Sequence, residues 1–414
     1  MITLISMFLS LVVFADVQKN ALRREALADY FANLFTYKIG ALTSTDLCRL
    51  ENRYENSNVL LKVLTSLTTT QQIKIKNILD QSENCLTIGA RLELEIMAIR
   101  NMEQKSLSRK LLKYLHQKIN NRTIDIQSIT LITIHRDLLN KLPRNRLYER
   151  ALKIFPTKVN NIIQSESFSP ISKAKLRDLF YFDPDLSTYR EGEYNNSIKI
   201  FMFCRKNRDY PCIMVAKDQF NLPVYTENNE NLWHHRSLAA SYRGLPFNIR
   251  NGQTPQGVHS IDSVMPYANR QDAFGKFRRI ILNWIPRSEN EKLSKIILPN
   301  SVHNDHWWLQ ANTARDLGRN DLRVHGTGRI NDDPNSFHYP FRKTSGCVSQ
   351  REGTYENITY FDQRKLLDTL MSNLGMAPEF DNEELIKGLF YLVEIDKQMS
   401  PVTLAEIESI LLER

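Results

Sequence analysis

Hydrophobic spacing changes character near residue 183, and that change constrains the fold more than any other feature of the chain. Before it, apolar residues recur at helical steps. Leu22, Ala26, Tyr30 and Leu34 lie four apart, and Leu111, Leu112, Leu115 and Ile119 repeat at the spacing of one buried face. Leu92, Leu94, Ile96, Ile99 and Met102 sit among good helix formers, and residues 43–46 and 68–70 have the composition of caps and turns. After residue 196 the apolar runs become short and are punctuated by turn residues. Residues 198–203 and 212–216, with a polar turn between them, predict a hairpin. Further strands are expected at 247–249, 257–264 and 278–284, a helix at 361–374, a closing strand at 389–395 and a last helix at 403–412. The fold class expected is α+β and multidomain. It comprises an all-helical domain over 16–183, a linker at 184–196 where turn residues cluster, and a mostly-β domain over 197–414 with a C-terminal helix and strand extension.

Residues 1–15 are an uncharged apolar run that closes on Val13, Phe14 and Ala15 before Asp16, the pattern of a secretory signal peptide. No later run is long and apolar enough to span a bilayer. Cysteine usage agrees with export. Cys48 and Cys85 both fall in the helical half, Cys204 and Cys212 flank the hairpin turn, and two such local pairs leave Cys347 alone as a reactive thiol. The alternative is that the other four stay reduced as small buried hydrophobes. The formal charge of +9 is concentrated in residues 101–180, where sixteen Lys and Arg face six Asp and Glu. A basic helical surface of this kind suits an anionic wall polymer or an anionic membrane surface, and otherwise is a solvated face. No nucleic-acid-binding module accompanies the charge, so nucleic acid is not expected as a partner.

The chemistry concentrates in Val324-His325-Gly326-Thr327-Gly328 and Thr344-Ser345-Gly346-Cys347-Val348. A nucleophilic cysteine needs a base within reach and backbone N–H groups to hold the oxyanion that forms on the attacked carbonyl. Gly346 leaves that backbone open and permits a turn that presents Cys347, while Gly326 and Gly328 would let substrate approach His325. Elsewhere, His303, Asp305 and His306 form a short run of ligand-type side chains, but no HExxH pattern accompanies them. His306 and the neighbouring Trp307 are therefore read as groove lining rather than a metal site.

A histidine that precedes its cysteine differs from the papain-like order. The pair resembles the signature of the L,D-transpeptidase (YkuD-type) family: His-Gly, a short insertion, then [Ser/Thr]-x-Gly-Cys, a hydrophobic residue and usually Arg or Asn. His325 and Gly326 match the first half, and Thr344, Gly346, Cys347 and Val348 the second. Thr254-Pro255-Gln256-Gly257 resembles the family's Thr-Pro-x-Gly strand entry. Eighteen residues separate His325 from Thr344, Ser345 stands where many members have a second histidine, and Ser349 replaces the Arg or Asn, with Arg351 close by as a substitute anchor. The resemblance spans residues 196–375.

This resemblance implies a sandwich-like catalytic domain that works on peptidoglycan stem peptides in the periplasm or cell envelope, without cofactor or metal. Cys347 is the implied nucleophile and His325 its base, either taking the thiol proton or holding it in an ion pair. Thr344, or a backbone carbonyl near Gly326, orients the imidazole. Gly326, Ser345, Gly346, Ser349, Arg351, His306 and Trp307 are the implied substrate contacts. An amine acceptor gives a cross-link, whereas water gives L,D-carboxypeptidase trimming. The competing expectation is a catalytically impaired wall-binding or scaffold protein, raised by Ser349.

Overall fold

The computed structural model describes residues 87–412 except 101–104, 143–144, 188, 229, 286–295 and 330. The apolar run at 1–15, the helical repeats before residue 87 and the Cys48–Cys85 pairing lie outside the described residues. The protein is α+β, and its described residues fall into two compact units, one of residues 167–312 and 321–412, the other of residues 87–166 and 313–320.

The second unit is helical: α1 (Ile88–Arg100), α2 (Arg109–Asn120), α3 (Ile126–Ile134), α4 (Arg136–Asn140), α5 (Leu147–Ile154) and α6 (Pro156–Glu166). Helix α2 begins where Ser108 accepts from Leu111 N, and Glu95 of α1 holds that cap through Ser108 N and Oγ at 2.6 and 2.7 Å. Its spacing works as expected, with Leu111, Leu115 and Ile119 buried on one face while Arg109 and Lys113 stay exposed. Helix α3 is apolar nearly all round and buried from Ser128 to Thr133. Its threonines satisfy their hydroxyls on the carbonyls of Ile126 and Ile129.

The first unit opens with α7 (Lys173–Tyr181), capped by Ser172, and continues with strands β1 (Ile198–Arg205), β2 (Cys212–Lys217), β3 (His234–Ser237) and β4 (Gly257–Val264). Then come the short α8 (Gln271–Phe274), β5 (Ile280–Trp284), α9 (Leu309–Asp316), whose residues 313–316 belong to the second unit, β6 (Leu322–Thr327), β7 (Val348–Tyr355) and β8 (Ile358–Phe361). Helix α10 (Asp362–Asn373), strand β9 (Gly388–Asp396) and helix α11 (Leu404–Leu411) follow. Among the described residues the strands form one sheet in the order β3-β2-β1-β9-β4-β5-β6-β7-β8, with β1–β9 and β6–β7 parallel and the other pairs antiparallel. Ser349 of β7 also exchanges two backbone bonds with Leu238, just past β3, so the far end of the order returns to β7.

Strand alternation sorts the core. Ile200, Met202 and Cys204 of β1 face one side with Leu366, Leu367 and Leu370 of α10. Phe201 and Phe203 face the other with Leu179 and Phe180 of α7 and Ile407 and Ile410 of α11, where Phe201 stacks on Tyr391 at 4.6 Å. Both faces are covered, which explains why these strands read as continuous apolar runs.

The expected hairpin is β1–β2, bridged by a Cys204–Cys212 disulfide, and α10 and α11 lie where periodicity puts them. Strand β9 is not a closing strand but a central one between β1 and β4. Residues 247–249 form a turn rather than a strand, since Ile249 N and Gly252 N bond back to Pro246 O and Ile249 O. Nor is 184–196 a linker, because Leu186, Tyr189 and Tyr194 are buried in the core with α7. The basic stretch 101–180 accordingly spans both units, with α7 packed beside the sheet. No helix among the described residues is long and apolar enough to cross a membrane.

Candidate active site

Strands β6 and β7 run parallel with Val324 opposite Val348 and His325 opposite Ser349. Both valines pack on the α10 side, so pleat alternation sends His325 and the residue before β7, Cys347, to the opposite side. The register thus brings the two motifs onto neighbouring strand positions.

The imidazole of His325 is almost fully buried at 2% exposure, and its Nδ1 donates to the carbonyl of Gly326 at 2.5 Å. With a carbonyl as partner Nδ1 must carry the proton, which leaves the Nε2 lone pair as the basic position. Burial drives the His325 pKa down to about 4. The nearby Arg323 and Arg279 guanidinium groups push the same way, while the Gly326 carbonyl and Glu352 oppose them. The imidazole is therefore neutral at pH 7, and the resting ion pair that the motif also allowed is disfavoured. The rings of Phe274 from α8 and His325 pack in a T-shaped pair with centroids 5.4 Å apart, and Arg279 lies over the Phe274 ring at 4.7 Å. Helix α8 is tied over the end of β6 by Gly328 N to Gln271 O at 3.2 Å and by an exposed Arg329–Asp272 ion pair at 2.8 Å.

Cys347 is a free thiol, 9% exposed, whose S–H donates to the carbonyl of Asp321 at 3.6 Å rather than to the imidazole. Asp321 is held in the left-handed region at φ 62°, tolerable for Asp and sparsely populated. The turn before Cys347 depends on glycine, since Gly346 has φ 110°. Two threonines hold its carbonyls: Thr254 Oγ1 donates to Gly346 O at 2.8 Å, and Thr344 Oγ1 to Cys347 O at 2.6 Å. The first of these bonds joins the upstream Thr-Pro-x-Gly segment directly to the Gly-Cys step. Gly257, at φ 131°, lets α9 approach, for a Cβ there would meet Ala311 Cβ at 2.6 Å.

Several expected roles change. Thr344 does not orient His325; its hydroxyl holds the Cys347 carbonyl, and the Gly326 carbonyl is the group that orients the ring. Gly326 does not open a path for substrate, because a Cβ there would come within 1.8 Å of Glu352 Oε1, and at Gly328 it would meet Gln271 O at 2.5 Å. Ser349 is fully buried on the Leu238 bridge. Arg351 is committed to Asp362 at 2.5 Å and lies over the Tyr360 ring at 4.1 Å, so it is not a spare anchor. Trp307 belongs to the core with Val302 and Leu298. His306 sits half-buried at the entry to α9, and Ser345 is exposed beside the Gly346 turn. In the ligand-type run, His303 bonds Leu298 O and Asp305 pairs with Lys175.

Sequence reasoning missed Glu352. Its carboxyl is buried, its pKa raised chiefly by that burial, and its Oε2 accepts from Lys276 N at 2.7 Å, whereas Oε1 has no hydrogen-bond partner among the described residues. Only the β6–β7 register brings it over Gly326. Arg279 and Arg323, which add to burial in lowering the His325 pKa, were missed because a pairing of separate strands, β5 with β6, brings them there.

No family model, curated protein or solved structure matches this chain.

Proposed function

We propose that the protein is a cysteine-dependent L,D-transpeptidase: an acyltransferase acting on peptidoglycan stem peptides through a thioester on Cys347, with a helical accessory domain before an L,D-transpeptidase-like catalytic domain. The observation that carries the reading is the parallel β6–β7 register, which sets a neutral, Nδ1-tethered imidazole beside the Gly-Cys turn. The Thr254–Gly346 bond adds support by uniting the two stretches of motif.

In this reading substrate binding turns the Cys347 thiol from the Asp321 carbonyl toward His325 Nε2. Catalytic hydrogen bonds are commonly long or misaligned before substrate arrives. Nε2 takes the thiol proton as sulfur attacks the carbonyl of the third stem residue, with the oxyanion received by backbone N–H groups of the 345–347 turn. The imidazolium returns its proton to the departing amine of the terminal D-amino acid and leaves a thioester. An amine from another stem then gives a cross-link, and water gives carboxypeptidase trimming. The Cys204–Cys212 disulfide supports an exported location, because such bonds persist in oxidising compartments.

A second reading, a catalytically impaired wall-binding protein, draws on the commitment of Arg351 to Asp362 and the burial of Ser349, which leave the family's usual anchor position unfilled. Incubation of the full chain with tetrapeptide muropeptides separates the two. Mass spectrometry should find stems lacking the terminal residue, alone or cross-linked, and Cys347→Ser should stop their formation. Unaltered muropeptides together with retained binding to sacculi would favour the second reading.

A further inference from the structure

The sheet unit contains a second polar site that has no part in the chemistry of Cys347. Lys199 of β1 and Lys217 of β2 are register partners, so two ammonium groups start from directly opposed positions, an arrangement that disfavours a sheet unless something compensates. Both are deeply buried, at 4% and 1% exposure. Lys217 is provided for: its Nζ donates to the carbonyl of Phe182 at 3.2 Å and lies over the Phe180 ring at 5.7 Å. Lys199 makes no hydrogen bond or ion pair with any described residue. It lines a cavity of about 460 Å³ that also presents Asn195, Asn196 and Gln219.

Burial lowers both lysine pKa values, Lys217 to about 8, while Asp183 and Asp218 hold them up. The carboxylates are not direct partners. Asp218 spends Oδ1 on the backbone N–H groups of Phe220 and Leu222, and Asp183 and Asp185 stand exposed at the rim of the cavity. The cavity therefore has a cationic floor, amide walls and an anionic rim, with no ion pair bridging floor to rim. A simple anion would satisfy the floor but meet the rim unfavourably, and a simple cation the reverse.

We propose that this cavity binds a small zwitterion of the amino-acid type, its carboxylate on Lys199 and its ammonium at Asp183 and Asp185. The ligand supplies the partner that Lys199 lacks and places opposite charges along the existing floor-to-rim gradient.

Calorimetric titration of the full chain tests this with four probes: glycine, alanine, acetate and ethylamine. At least one amino acid should bind roughly tenfold more tightly than both acetate and ethylamine. Lys199→Met should weaken amino-acid binding by about tenfold or more, and should not lower the melting temperature because it removes an unpartnered buried charge. Asp183→Asn, at an exposed position that should leave the fold intact, should reduce amino-acid affinity toward that of acetate while leaving acetate unchanged. It decides the matter alone should Lys199→Met fail to fold. Amino acids that bind no better than acetate or ethylamine, or retain wild-type affinity in a folded variant, overturn the proposal.

Discussion

Strands β1 and β9, and strands β6 and β7, are two parallel pairs of one sheet that differ in what they bury. The first pair buries Ile200, Phe201, Met202 and Phe203 against Leu389 through Val393, and both of its faces meet apolar helices. The second buries Arg323, His325 and Thr327 beside Ser349, Gln350 and Glu352. Burying a polar group is unfavourable unless it is bonded, and here Thr327 bonds Arg329 O, Gln350 bonds His235 and Ser237, and Glu352 accepts from Lys276 N. Part of this polar set bears on the candidate site, Arg323 and Glu352 acting electrostatically on His325, whereas Gln350 is bonded to His235 and Ser237. Under the proposed function, stability resides chiefly in the first pair and reactivity in the second.

The sharpest way to break that division is to exchange the damage. His325→Ala should lower kcat/KM on stem peptides by about 10⁴-fold, the scale of losing the base of a nucleophile–base pair, while circular dichroism shows the fold retained. Rates within tenfold of wild type would remove His325 from the mechanism. Phe390→Ala, in the middle of β9, should do the opposite and cost about 3–5 kcal/mol of unfolding free energy, with activity per folded molecule preserved. A large loss of turnover without a loss of stability would show that the two halves are not separable in this way.

A third test reads His325 through pH. Its pKa is about 4 in the fold against 6.5 in the unfolded chain. Above pH 6.5 both states hold the ring neutral, and nothing is lost. As pH falls below 6.5 the unfolded chain takes up a proton that the fold refuses, so stability drains away until about pH 4, by a total on the order of 3 kcal/mol. Denaturant titrations at pH 7, 5.5 and 4 should reveal this slope in wild type and a shallower one in His325→Gln. His135 of α3's end, lowered to about 3, should keep its own contribution in both. Equal slopes would mean that the ring is not held neutral by burial.

The smallest effect concerns the turn. Thr344→Val removes the hydroxyl that holds the Cys347 carbonyl and should cost about 1 kcal/mol of stability. Turnover should fall by a few fold, far less than on loss of His325. A loss comparable to that of His325→Ala would restore Thr344 to the catalytic role expected from the motif.

What could be read from the chain follows the same contrast. Where burial is apolar, periodicity is visible, so the β1–β2 hairpin, β9, α10 and α11 were legible, as was the local Cys204–Cys212 pair. Strands β6 and β7 have no apolar alternation to detect, since Arg323, His325, Gly326, Ser349, Gln350 and Glu352 interrupt it. They announced themselves only through the motif. Residues 247–249 misled for the converse reason, with apolar Phe247 and Ile249 flanking Asn248 in a segment too short to distinguish a turn from a strand. Trp307 looked like a cleft wall because its immediate neighbours are polar, yet it packs into the core with Ile297, Leu298 and Val302. Glu352 and the Thr254–Gly346 bond depend on register and on a contact between residues 92 apart, neither of which local sequence encodes.

The most direct measurement is the intact mass of the full chain after exposure to a carbapenem, whose strained carbonyl can acylate an activated thiol without an acceptor. A single adduct with the mass of the whole β-lactam is expected, mapped to Cys347, absent in Cys347→Ser and formed much more slowly in His325→Ala. A chain that stays unmodified, or one that carries the adduct at any other residue, would contradict the assignment of Cys347 and His325 as nucleophile and base.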